Sequence, residues 1–133
     1  MTIDDVHVTQ PVALRRYFQR LGLSPGTLAP SYLRRLGVLV EFHYELKGFR
    51  GKELPLAWEL VDVKTNDAVA RDRAVSIKPS TNNDARKWFV WVPMPKTSRQ
   101  YYVTVTVYQP HKGDVDVPLQ DFDSPKFRGL ART

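Results

Sequence analysis

Only three side chains of this 133-residue chain have an ordinary pKa suited to general acid or base work near neutral pH: His7, His43 and His111. His7 falls close to the N-terminus, His43 on the polar face of an alternating stretch, and His111 in the turn Gln109-Pro110-His111-Lys112-Gly113. None sits in a nucleophile elbow or a zinc-binding helix pattern. Cysteine is absent, which excludes thiol nucleophiles and thiolate metal sites. The seven glycines are scattered and build no phosphate-cradling loop. The residues therefore point to a protein that is not an enzyme and carries no cofactor.

Binding chemistry is better represented. Asp114, Asp116, Asp121 and Asp123 form an acidic group that could offer hard oxygen ligands to calcium. The competing reading is ordinary turn and edge-strand solvation, and it outweighs the metal site. Trp88, Phe89 and Trp91, next to Arg86 and Lys87, could stack nucleic-acid bases or a sugar. Trp88 and Trp91 differ in parity, so on a strand they point to opposite faces, and at most one belongs to a main core. Coverage of the other by the N-terminal helix is the favoured arrangement.

Lys47-Gly48-Phe49-Arg50-Gly51-Lys52 combines an aromatic ring with cations in a glycine-rich loop, and nothing in the local pattern demands Phe49 at its tip. Phe49, Arg50 and Lys52 are accordingly candidate contact residues, joined by Arg15 and Arg16 on the N-terminal helix. The net charge of +6 makes polyanions conceivable partners. The basic pairs, Arg15-Arg16, Arg34-Arg35, Arg71 with Arg73, and Arg86-Lys87, are spread along the chain rather than gathered in one run.

The elements that must position these residues follow from periodicity. Tyr101-Tyr102-Val103-Thr104-Val105-Thr106-Val107-Tyr108 alternates valine and threonine, as a half-buried strand requires. A second alternating strand covers 38–46, with Val38, Val40, Phe42, Tyr44 and Leu46 on one face. Leu54, Leu56, Trp58 and Leu60 mark a third. Residues 68–77 carry Arg71-Asp72-Arg73 and read as a charged edge, 87–93 as a strand apolar on both faces, and 119–127 as a closing edge strand limited by Pro118 and Pro125. Val12, Leu14, Tyr17, Phe18 and Leu21 recur at helical spacing, so a helix is expected over 11–21, with Pro11 in its first turn and Gly22 as its stop. An extended crossing is expected from Leu23 to Pro30.

The boundaries that result are a flexible tail (1–10), a helix and extended connection (11–32), a sandwich domain (33–127) and a second tail (128–133). No run approaches the roughly 18 apolar residues of a membrane span. The lack of cysteine leans towards a reducing, cytoplasmic setting.

About seven short strands with regular turns predict a mainly β, two-sheet antiparallel sandwich preceded by one amphipathic helix. Trp58, on the strand after the first hairpin, and Tyr101, two positions before the inward Val103, make the chain resemble an immunoglobulin-like or fibronectin type III domain. The resemblance implies that Trp58 packs in the core, that Tyr101 makes a corner hydrogen bond, and that Val103 and Val40 replace the disulfide cysteines of antibody domains. A superfold carries no single activity. The expected function is therefore a non-catalytic protein-interaction module. A nucleic-acid or anionic-surface binder is the alternative, and a carbohydrate-binding sandwich the third.

Overall fold

A computed structural model describes residues 1–110 and 116–130. Its elements run β1 (Thr2–Ala13), α1 (Leu14–Leu21), α2 (Pro30–Leu33), β2 (Leu36–Lys47), β3 (Leu54–Asp62), β4 (Ala68–Ile77), β5 (Asn83–Pro93), β6 (Gln100–Tyr108), β7 (Pro118–Asp123) and β8 (Phe127–Arg128). All strand pairs are antiparallel. One sheet has the order β1-β2-β5; the other runs β4-β3-β6-β7, with β8 also paired to β6. Among the described residues no helix is long and apolar enough to cross a membrane.

The two sheets face each other across one core, to which alternate residues contribute as the period of two dictates. Val38, Val40, Phe42, Tyr44 and Leu46 of β2 meet Leu54, Leu56, Trp58 and Leu60 of β3 and Val103, Val105 and Val107 of β6. Val40 and Val103 are both fully buried in it. On β5, Trp88, Val90 and Val92 share this face, opposite Phe42, Val40 and Val38. Phe89 and Trp91 point the other way, where they join Val12, Leu14, Tyr17 and Leu39 in a second, smaller core beneath α1. The helix thus covers an apolar outer face that would otherwise meet water.

Of residues 1–10, expected as a loose tail, all from Thr2 onward belong to β1. Ile3, Val6 and Val8 pack against the main core. The strand was hidden by irregularities between Asp4 and His7 and between Thr9 and Val12, which break the alternation and shift its register on β2. Pro11 lies in β1, not in a helical turn, because Val12 and Ala13 still pair with Gly37 and Leu36. The helix begins only at Leu14 and ends, as Gly22 foretold, in a left-handed residue with φ 68°. The crossing that follows is closed by a short second helix, α2, with Pro30 in its first turn. The C-terminal edge strand is divided into β7 and β8, so the described strands number eight. Of the expected tail 128–133, Arg128 is in β8 and 131–133 lie outside the described residues.

Side chains finish what the sheets leave open. The Val75 amide on edge strand β4 donates to the Tyr17 hydroxyl (3.4 Å), and the Val75 carbonyl accepts from Trp88 Nε1 (3.1 Å). Two residues earlier the Arg73 amide donates to Asp72 Oδ1 at 2.7 Å. The edge is thereby capped against pairing with a further strand. At the opposite side Gln10 Nε2 donates to the Arg128 carbonyl (2.7 Å), tying β1 to β8.

Trp91 is held both by a hydrogen bond and by close packing. Its Nε1 donates to the Val12 carbonyl at 2.9 Å, and a Cβ on Gly37 would stand 2.2 Å from its ring. Gly37→Ala should therefore destabilise the fold by about 1–3 kcal/mol, the usual cost of overpacking, seen as a lower urea midpoint with unchanged slope.

Candidate functional site

The residues best suited to chemistry are placed apart. His7 is exposed on β1, and His43 Nδ1 pairs with Asp4 Oδ1 at 2.9 Å across β1 and β2. His111 and Asp114 lie outside the described residues. Asp121 and Asp123 project from the outer face of β7, and Asp123 accepts a hydrogen bond from Thr104 Oγ1 (2.7 Å). Asp116 lines a small hollow of about 80 Å³ beside Arg73 and Tyr108. Among the described residues no group of three or more histidines and carboxylates is arranged to hold a metal ion.

Two buried polar clusters escaped the sequence reading, since Tyr44 reads there only as an inward apolar residue. Tyr44 donates its hydroxyl to Asp84 Oδ2 (2.6 Å) and accepts from Arg86 Nε (2.7 Å), while Arg86 Nη2 reaches the Lys78 carbonyl (3.2 Å). Burial, reinforced by the Asp84 carboxylate, pushes the Tyr44 phenol far above its usual range and keeps it neutral. The cluster pins the start of β5 to β2. Near the other end of the sandwich Arg99 Nη1 donates to Asp62 Oδ2 (3.0 Å) and the Lys64 amide to Asp62 Oδ1 (2.9 Å). The Arg99 hydrogen bond holds the buried Asp62 carboxyl below the ordinary aspartate value. Both clusters have their partners within the fold and act as fasteners.

The loop singled out in the sequence does border a cleft, of about 660 Å³, lined by Phe49, Lys52, Glu53, Arg73, Ser76 and Gln109. Its form comes from Gly48 and Gly51, whose positive φ values (82° and 74°) let their amides reach the Asn82 and Pro79 carbonyls. Phe49 has a structural task that the sequence concealed: its ring is half-buried against the main core. Arg50 stays exposed and Lys52 faces the cleft.

Trp88 and Trp91 do point to opposite faces. Trp91 is covered by α1, whereas Trp88 is half-buried at the main core with the Arg86 guanidinium 5.3 Å from its ring centre. Both indole N–H groups are spent on backbone carbonyls.

The most distinctive surface is the corner built by α1, α2 and the start of β2. Between Val6 and Val40 the chain has five arginines, Arg15, Arg16, Arg20, Arg34 and Arg35, and no aspartate or glutamate. All five are exposed, and none takes part in the three ion pairs among the described residues. Arg20 lies over the Phe89 ring and Arg35 over that of Tyr32, at 5.8 and 5.9 Å from their centres. The same corner exposes large apolar side chains: Leu23, Leu28, Tyr32 and Leu36. Arg15 and Arg16 thus acquire company that spacing alone did not reveal. The signal available in the sequence was the missing carboxylates, not the density of arginine.

No family model matches the chain, and no curated protein or solved structure matches it either.

Two outcomes separate fastening from display. Phe49→Ala should cost about 1 kcal/mol of unfolding free energy, in keeping with a half-buried ring, while Arg50→Ala leaves the denaturation midpoint unchanged. The depressed Asp62 contributes stability that is complete above the unfolded aspartate pKa of about 3.9 and is lost as pH falls through its lower folded value. Arg99→Met should flatten that acid limb in denaturation curves measured from about pH 5 down to about pH 2.

Proposed function

We propose that the protein is a non-catalytic protein-interaction module of immunoglobulin-like build, and that its contact surface is the helical corner. Strand order supports the build: β1, β2 and β5 form one sheet, and β3 and β6 form the centre of the other, with β4 beside β3. Trp58 packs in the core, and the Tyr101 hydroxyl bonds the Thr97 hydroxyl four residues upstream.

One observation carries the function. An exposed surface holding five arginines and four large apolar side chains, all from a stretch of chain without aspartate or glutamate, is suited to a partner that supplies both negative charge and apolar surface. An acidic polypeptide does so. Nucleic acid offers the charge and rewards stacking aromatics, but Trp88 and Trp91 are engaged inside the fold, and leucine has little to gain from a phosphate backbone. Cytoplasmic placement accords with the absence of cysteine and belongs to the same proposal.

Affinity capture from host lysate, with and without nuclease, tests this reading. Discrete proteins should persist through nuclease treatment, and Arg34→Glu with Arg35→Glu should weaken their retention roughly tenfold or more, about 1.4 kcal/mol, while Arg50→Glu leaves it unchanged. Nucleic acid whose recovery nuclease abolishes, with affinity falling steeply in salt, would favour the polyanion reading instead.

A further inference from the structure

We infer that the groove between α1, α2 and the edge of the sandwich receives one large apolar side chain from an acidic polypeptide segment. This rests on the protein-binding reading of the corner and specifies how the partner is held.

The groove has a volume of about 440 Å³. Tyr17, Trp58 and Trp91 form its floor and are nearly buried, at 6%, 5% and 8% exposure. Leu28 and Tyr32 stand on its wall and are 40% and 45% exposed, so an inserted side chain has apolar surface to cover on both floor and wall.

The polar atoms of the floor argue for the same occupant. The Tyr17 hydroxyl meets the Val75 amide, and Trp91 Nε1 meets the Val12 carbonyl. Burial pushes the Tyr17 phenol up to about 12, so it stays uncharged at neutral pH. Trp91 Nε1 is thereby spent inside the fold and the Tyr17 oxygen is occupied, so the floor is chiefly ring surface, with the Tyr17 O–H and Trp58 Nε1–H as its donors without an acceptor among the described residues. A ligand that is polar throughout would lose hydration on those rings with little return.

Charge selects what flanks the anchor. Arg35, over the Tyr32 ring, lines the groove near α2, and Arg73 lines it at β4. The groove's own carboxylate, Asp72, accepts the Arg73 amide. Arg15 and Arg34 border a neighbouring hollow between the helices. A segment with aspartate or glutamate on either side of its anchor meets this surface, whereas a basic one is repelled.

The mode of docking follows too. Because the Arg73 and Val75 amides are already capped, the part of β4 that borders the groove offers a segment few strand-pairing hydrogen bonds. Side-chain insertion is left as the source of specificity.

The test uses the full chain and three fluorescein-labelled peptides. The first has acidic flanks and a central Phe, the second the same flanks and a central Ser, the third basic flanks and the central Phe. In anisotropy titrations the first should bind at least tenfold tighter than either other peptide. It should also alter tryptophan emission, to which its Phe anchor adds nothing. Leu28→Ser and Tyr32→Ser, at exposed positions, should each weaken the acidic Phe peptide several-fold and leave the Ser peptide unaffected. Arg35→Glu should weaken both acidic peptides, and Arg50→Glu, at the far end of β2, neither.

Equal binding of the acidic Phe and Ser peptides would overturn the anchor groove while leaving a charge-driven protein contact at the corner intact. Indifference to Leu28→Ser and Tyr32→Ser would overturn the groove in the same way. Failure of all three peptides overturns the inference, and tight salt-sensitive binding of a single-stranded oligonucleotide in their place would overturn the protein-binding reading as well.

Discussion

The contact on which most of this molecule depends is that of the Trp91 indole with Gly37 beneath it and the Val12 carbonyl at its edge. Absence of a side chain at Gly37 lets a large ring settle against β2 on the outside of the smaller sheet. The ring then holds the end of β1 by a hydrogen bond, and the chain turns at once into α1. With the helix fixed, Leu14 and Tyr17 close over Leu39, Phe89 and Trp91, and the Tyr17 hydroxyl reaches the far sheet at Val75. A single indole therefore couples an edge strand, a helix and the second sheet. The groove beside α1 exists because the helix is held there and not elsewhere.

Much of this architecture was legible. The alternation in β2, β3 and β6 dictated which side chains face inward, and the opposed parity of Trp88 and Trp91 required an outer layer for one of them. What escaped the reading was whatever breaks a period or joins distant segments. β1 was missed because two irregularities interrupt its alternation, although Ile3, Val6 and Val8 contribute to the core. Phe49 looked idle because its partners lie across the fold. The basic corner was obscured because Arg15-Arg16 and Arg34-Arg35 look like scattered pairs until α1 and α2 come together. The buried Tyr44, Asp84 and Arg86 cluster depends on a pairing between β2 and β5 that no local window contains.

The polar interior and the basic exterior follow opposite rules. Tyr44, Asp62, Asp84 and Trp91 are buried with partners supplied by the fold, so they add rigidity at positions where an unmet group would be costly. Among the described residues the corner arginines have no acidic partners, and water solvates them at little expense. On the proposed reading, a surface in that condition would keep its charge for an outside molecule.

The placement of charge has one more consequence. Arginines crowd the helical corner, while Asp121 and Asp123 face outward from β7, the strand at the other edge of the larger sheet from β4. The molecule accordingly carries a permanent electric moment in addition to its net charge. An approaching polyanion exerts a torque on that moment from about a Debye length away, roughly 8–10 Å in physiological salt. On the proposed reading of the corner, such a torque would turn it towards an acidic partner before any side chain touches, and dissolved salt would set how far ahead of contact that begins.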